Sequence, residues 1–205
     1  MSADSPREGA TRGLPTAAAD IFRFQVGNAF SWSMLLGFPL VLYFNSLGAP
    51  ASVLGLVMGL PPLMVILQIP AAGYVEKVGY RRMVFTGWSS RAVVAVAMFF
   101  VAAFAGALGP SRAMGLMLAC LFAFSVLRGL ASAALLPWFT QLIPEDVRGR
   151  YLSLEQALIL ATALGTALVS ALLFEVFPGR AGFAWVFGLS AVGGGVALVF
   201  LHRIP

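Results

Sequence analysis

The sequence predicts an all-α membrane protein of six transmembrane helices, possible as two inverted three-helix repeats. Three observations predict it. Sixty per cent of the 205 residues are hydrophobic and only 10% are charged, whereas soluble domains carry about a quarter charged residues. Mean hydropathy is +0.92. Long, nearly uncharged stretches recur from Phe24 onward, each long enough to cross a hydrocarbon core that needs about 20 helical residues.

The predicted spans lie near 22–46, 51–75, 83–108, 113–140, 151–177 and 181–202. The breaks between them are short and carry turn chemistry: Gly48-Ala49-Pro50, Gly79-Tyr80-Arg81-Arg82, Gly109-Pro110-Ser111-Arg112, Pro144-Glu145-Asp146 and Pro178-Gly179-Arg180. Such connections force neighbouring helices to run antiparallel. Continuous rather than alternating apolar runs argue against a β-barrel. Residues 1–21 are polar, carry Pro6, Gly9, Gly13 and Pro15, and read as a disordered cytoplasmic tail with no cleaved signal peptide.

The net charge of +5 does not indicate nucleic acid, because the Lys and Arg residues are scattered singly between apolar runs. They sort by side of the membrane instead. Arg7, Arg12, Arg23, Lys77, Arg81, Arg82, Arg148, Arg150 and Arg203 fall on one side, and only Arg112 and Arg180 on the other. The positive-inside rule therefore places both termini in the cytoplasm. The one cysteine, Cys120, permits neither a disulfide framework nor a Cys-rich metal site within the chain. A weak internal echo accompanies the topology: Glu76 and Arg81 recur as Glu175 and Arg180, 99 residues later. Inverted repeats would give that spacing.

Polar side chains are costly in hydrocarbon, so those sharing a helical face are informative. Gln25, Asn28 and Trp32 share a face of the first span, either as interhelical hydrogen bonders with an interfacial aromatic or as a cavity lining. Glu155, Thr162, Thr166 and Ser170 make a comparable stripe in the fifth, again as packing or as cavity. Arg128 is about 22 Å deep from the outer end of the fourth span at the usual rise per residue. Ser125 and Ser132 share its face, which favours a polar cavity and a substrate or coupling role over a structural ion pair. Arg91 is about 12 Å from the start of the third span, shallow enough for its side chain to reach the interface, so a structural role is expected. Glu155 is the natural partner of a nearby arginine or of the positive N-terminal end of its own helix. Gly55 and Gly59 suggest a close helix contact, and Pro61, Pro62 and Pro70 a bent second span. His202 reads as interfacial, and with no acid–base set, phosphate loop or His-Glu-x-x-His pair, neither a catalytic nor a metal site, nor any cofactor, is expected.

Residues Ala72-Gly73-Tyr74-Val75-Glu76-Lys77-Val78-Gly79-Tyr80-Arg81-Arg82 resemble the signature loop of the major facilitator superfamily, G-x-x-x-D-R-x-G-R-R. In that resemblance Glu76 stands for the acid, Lys77 and Arg81 for bases and Gly79 for the turn glycine. Ala72 replaces the first glycine and Tyr80 a basic residue. Pro144-Glu145-Asp146-Val147-Arg148-Gly149-Arg150 is similar to the family's loop between spans four and five, and Arg128 to its fourth-span arginine.

The resemblance implies a secondary transporter of the plasma (inner) membrane that moves a small solute through the lipid bilayer. Glu76, Lys77, Gly79, Arg81, Glu145, Arg148 and Arg150 would then belong to gating loops. The family usually has twelve spans in two halves, and this chain matches the N-terminal half. A second six-helix bundle is accordingly expected, as a homodimer, a partner chain or a C-terminal half. The alternative is a non-transporting membrane scaffold or accessory subunit.

Overall fold

The computed structural model describes residues 16–204, and the proposed tail at residues 1–15 lies outside the described residues. The elements in order are α1 (Thr16–Leu36), α2 (Phe38–Ser46), α3 (Ala51–Leu63), a 3-10 turn (Met64–Leu67), α4 (Gln68–Val78), α5 (Tyr80–Ala103), α6 (Ala105–Leu108), α7 (Pro110–Leu142), α8 (Glu145–Val176) and α9 (Arg180–Arg203). They form six helices or helix pairs long and apolar enough to cross a membrane. Spans one and two are each built from two α-helices, and the fourth, fifth and sixth from α7, α8 and α9.

Two boundaries differ from expectation. The first helix already begins at Thr16, so residues 16–21 are helical rather than tail. The fifth begins at Glu145, with Pro144 in an extended conformation as its N-cap and Glu145 and Asp146 in its first turn. Carboxylates there complement the positive end of the helix. The segments read as gating loops are therefore mostly helix ends. Glu76 and Lys77 close α4, Arg81 opens α5, and only Gly79 joins them. Its φ of +87° is a conformation that favours glycine, and Gly179 makes the corresponding joint before α9 at +73°.

The breaks within spans have local causes. Pro61 and Pro62 lack backbone N–H groups, and the α-helical ladder of the second span gives way to the 3-10 turn just beyond them. The first span breaks at Gly37, ahead of Pro39, a bend the sequence reading did not anticipate. Pro137 lies inside α7.

Side by side, the spans are ordered two, four, three, six, one, five. Span three packs on four and six, span six on one, span one on five, and span four on two. This pairing is unchanged when spans one, two and three are exchanged with four, five and six, as expected for two three-helix repeats. The close crossings correspond as well. A Cβ on Gly27 would sit 3.2 Å from Ala197 where spans one and six cross, and one on Gly87 would collide with Ala131 where spans three and four cross. Gly55 and Gly59, read as a packing face, instead meet nothing within 4 Å and are exposed. Gly129 is the glycine on which the second span lies, since a Cβ there would strike the Met64 carbonyl oxygen.

Two hydrophobic clusters stack along the bundle. One, at the end holding both termini, gathers Phe24, Trp88, Trp138, Phe139, Tyr151 and Leu201. The other gathers Met34, Phe44, Met98, Leu121, Phe124 and Phe187. The spans at the two ends of the order are the least enclosed. Only 11% of the most apolar 18-residue stretch of spans two and five is buried, against 28–39% for the other four.

Candidate functional site

The first span distributes its polar face among three neighbours. Gln25 is buried and donates from Nε2 to Glu155 Oε1 on the fifth span. One turn on, Asn28 Oδ1 accepts from Trp88 Nε1 at 3.0 Å and Arg91 Nη2 at 3.4 Å, both on the third. Trp32 faces the fourth span, with the Arg128 guanidinium carbon 5.4 Å from its ring centroid. The spacing of three and four residues thus places all three along one side of the helix, but each meets a different span.

Arg91 does not reach out of the bundle, although its position along the helix would allow it. It is 5% exposed, and its guanidinium carbon lies 4.7 Å from the Trp88 ring and 4.6 Å from the Phe124 ring. A desolvated cation–π contact is worth about 2 kcal/mol. Two rings and an amide can therefore offset the roughly 2.5–3.5 kcal/mol that insertion scales assign to an arginine at mid-membrane.

Arg128 has less. It is half-buried, and among the described residues no carboxylate lies within ion-pair distance and no hydrogen bond reaches its guanidinium. A single ring contact at a partly open site contributes about 0.5–1 kcal/mol. Most of its insertion cost is left to hydration or to another ligand. Neither serine expected to make its face polar bonds to it among the described residues. Ser132 donates to Gly129 O at 3.1 Å and accepts from Gln68 Nε2 at 2.8 Å, while Ser125 is buried without a hydrogen-bond partner. Glu155, proposed as an arginine's partner, binds Gln25.

Arg128 and Trp32 line a cavity of about 610 Å³ between spans one, two and four, whose other walls include Phe38, Val57, Pro61 and Val65. Ligand sites typically measure about 300–1,000 Å³. A second cavity of about 350 Å³ continues from Trp32 and Phe38 toward Ser170 and Phe174 of the fifth span. The break at Gly37 lines both cavities, and Pro61 and Pro62 line the first.

The fifth-span stripe does not form one cavity lining. Thr162, Thr166 and Ser170 each donate to the carbonyl four residues back, at 2.7, 2.6 and 2.9 Å. Thr162 faces a separate, mostly apolar cleft with Phe22, Phe30 and Phe200. Thr166 is buried, and only Ser170 reaches the cavity beside Trp32. Gln68 and the Ser31–Ser190 pair, in which Ser190 Oγ donates to Ser31 O at 2.7 Å, escaped the sequence reading. Gln68 and Ser190 were visible as lone polar residues in apolar runs, but partners on other helices cannot be read from one span.

At the helix ends, two arginines bind the exposed carbonyls of neighbouring helices. Arg81 Nη2 donates to His202 O at 3.2 Å, and Arg148 Nη2 to Thr140 O at 3.0 Å. Arginine at such an end also complements the helix dipole. Arg148 further pairs with Glu145 at 3.8 Å, a contact in which the glutamate is almost fully exposed. Glu76 and Arg150 are exposed, and Lys77 Nζ lies 5.9 Å from the Tyr74 ring centroid. Gly79 remains an open joint with nothing within 4 Å of its Cβ position.

Six spans long and apolar enough to cross a membrane define an integral membrane protein. The chain belongs to the major facilitator superfamily, whose family model matches residues 22–205. No curated protein and no solved structure matches it.

Proposed function

We propose that this bundle acts as one half of a secondary transporter, moving a small solute by alternating access against a second six-helix bundle. The observation that carries this reading is the open side of the span order. Spans two and five stand at its ends with their apolar stretches scarcely buried, and the cavities holding Arg128 and Trp32 lie between them and spans one and four. A second bundle seated there would enclose the pathway.

Arg128 and Trp32 would contact solute. Gln25, Asn28 and Glu155 would hold the first span to the third and fifth, with Glu155 also available for coupling. Thr162 and Thr166 contribute at most to packing in this arrangement. Glu76, Lys77, Arg81, Glu145, Arg148 and Arg150 would make contacts that form in one state only, around the Gly79 joint. The charge asymmetry favours cytoplasmic termini in the plasma membrane.

The test joins mass to flux. Native mass spectrometry from lipid nanodiscs should find two six-helix bundles together, as two copies or with a partner, and the same assembly in proteoliposomes should exchange solute. A strictly monomeric six-span chain would overturn the reading. Reporters fused at each terminus should give cytoplasmic signals, and one inserted at Gly48 an external signal.

A further inference from the structure

We propose that the solute is an organic oxyanion with an apolar body, its anionic group held by Arg128 and its body against the Trp32 ring and the second span. This rests on the reading of the Arg128 cavity as the solute site.

The cavity combines one cation with walls of a different character. Among the described residues, Arg128 is the only ionisable side chain lining it, beside Trp32, Phe38, Val57, Met58 and Val65. Among the described residues the guanidinium has a ring on one side and makes neither an ion pair nor a hydrogen bond. Glu155, the acid that the first span contacts, is held by Gln25. Arg91 is sealed between two rings and faces Asn28, so it adds positive charge to the same region of the bundle without offering a donor to the cavity.

Three solute classes fit this arrangement differently. An organic cation would meet an uncompensated positive charge and no acid. A sugar would need several fixed hydrogen-bonding groups, where these walls are mostly hydrocarbon. An oxyanion can accept two N–H bonds from the guanidinium fork, and an apolar or aromatic body attached to it can cover the indole and the Val57, Met58 and Val65 side chains.

The full chain, in nanodiscs with whatever second bundle it retains, is titrated with four fluorescent probes sharing one ring system: 2-naphthoate, 2-naphthyl phosphate, 2-naphthamide and 2-naphthylmethylammonium. Empty nanodiscs give the partition background. At least one anion should bind tenfold or more tighter than the amide, and the cation weakest. The order of the two anions separates carboxylate from phosphate recognition. Acetate and inorganic phosphate should displace neither, since they lack the body.

Arg128→Gln should remove the tenfold preference, and Arg128→Lys should retain part of it. Thermal melting of both variants, with an unchanged midpoint, excludes misfolding as the cause. Equal affinity for anion and amide overturns the proposal, as would follow if an acid on the facing bundle neutralised Arg128. Preference for the cation, or a preference that survives Arg128→Gln, overturns it too. In those cases, binding weakened by Trp32→Ala still supports the cavity as the solute site. If none of the four probes binds, this proposal fails and the cavity loses its support as that site, while the flux assay separately decides transport.

Discussion

Arg91 and Arg128 carry the same charge on adjacent helices inside the same bundle, yet their surroundings differ in kind. Arg91 is enclosed between Trp88 and Phe124 and bound to Asn28. Arg128 has one ring and an open cavity. A charge enclosed by two rings and an amide, even with its Nε left without a hydrogen-bond partner, stabilises an arrangement of helices. One left partly unmatched is free to be matched by something that arrives. Placement in a span therefore does not distinguish a structural arginine from a binding one, whereas the number of satisfied contacts does.

The largest effect expected from that comparison is on stability. Arg91→Ala opens a gap between two rings and removes a donor from Asn28, so a loss of about 2–4 kcal/mol is expected, the range for large-to-small core changes. Arg128→Ala should change stability by no more than about 0.5–1 kcal/mol, the worth of its single ring contact. Thermal melting in detergent with a lipid supplement measures both. Equal shifts would break the comparison.

The wall of the Arg128 cavity offers the next test. Gly129→Ala places a methyl against the Met64 carbonyl, so overpacking of about 1–3 kcal/mol is expected. The span-two crossing should shift, seen as slower cross-linking between cysteines placed at positions 68 and 132, whose native side chains meet across it. Gly55→Ala, with nothing near its Cβ position, should be neutral or slightly stabilising. A neutral Gly129→Ala would mean that the second span does not rest on the fourth.

An effect of similar size is expected where a neutral amide meets a carboxylate. Glu155→Gln preserves hydrogen-bonding capacity toward Gln25, while Glu155→Ala leaves the buried amide without its partner at a cost of about 1–3 kcal/mol. Melting of the two variants should separate them in that order, and the reverse order would show that the carboxylate is strained where it sits. The smallest change belongs to Thr162→Ala, whose hydroxyl only returns to its own helix. It should alter melting by under about 0.5 kcal/mol and leave naphthoate binding unchanged. A binding defect would bring the fifth-span stripe back into the site.

The sequence determined the membrane class, the number of spans and their approximate bounds, because hydrocarbon excludes unpaired backbone and charge over a fixed thickness, and that constraint acts on each segment separately. It also marked the polar residues that had to be accounted for, Gln25, Asn28, Arg91, Arg128 and Glu155, and the resemblance at residues 72–82 pointed to the family that the whole match from 22 to 205 then established. Tertiary structure alone decided how those residues were used. Arg91 lies about 12 Å along its helix by the usual rise, which permits interfacial reach, but the rings that seal it come from its own turn and from a helix 33 residues away in sequence, at Phe124. Ser132 shares a face with Arg128 and yet is held by Gln68 from the second span. Which neighbour meets a given face depends on helix rotation and crossing, set by small-residue contacts such as Gly27 on Ala197 and Gly129 on Met64 and by the breaks at Gly37 and Pro62. Those quantities arise from packing between helices, and no periodicity within one helix encodes them.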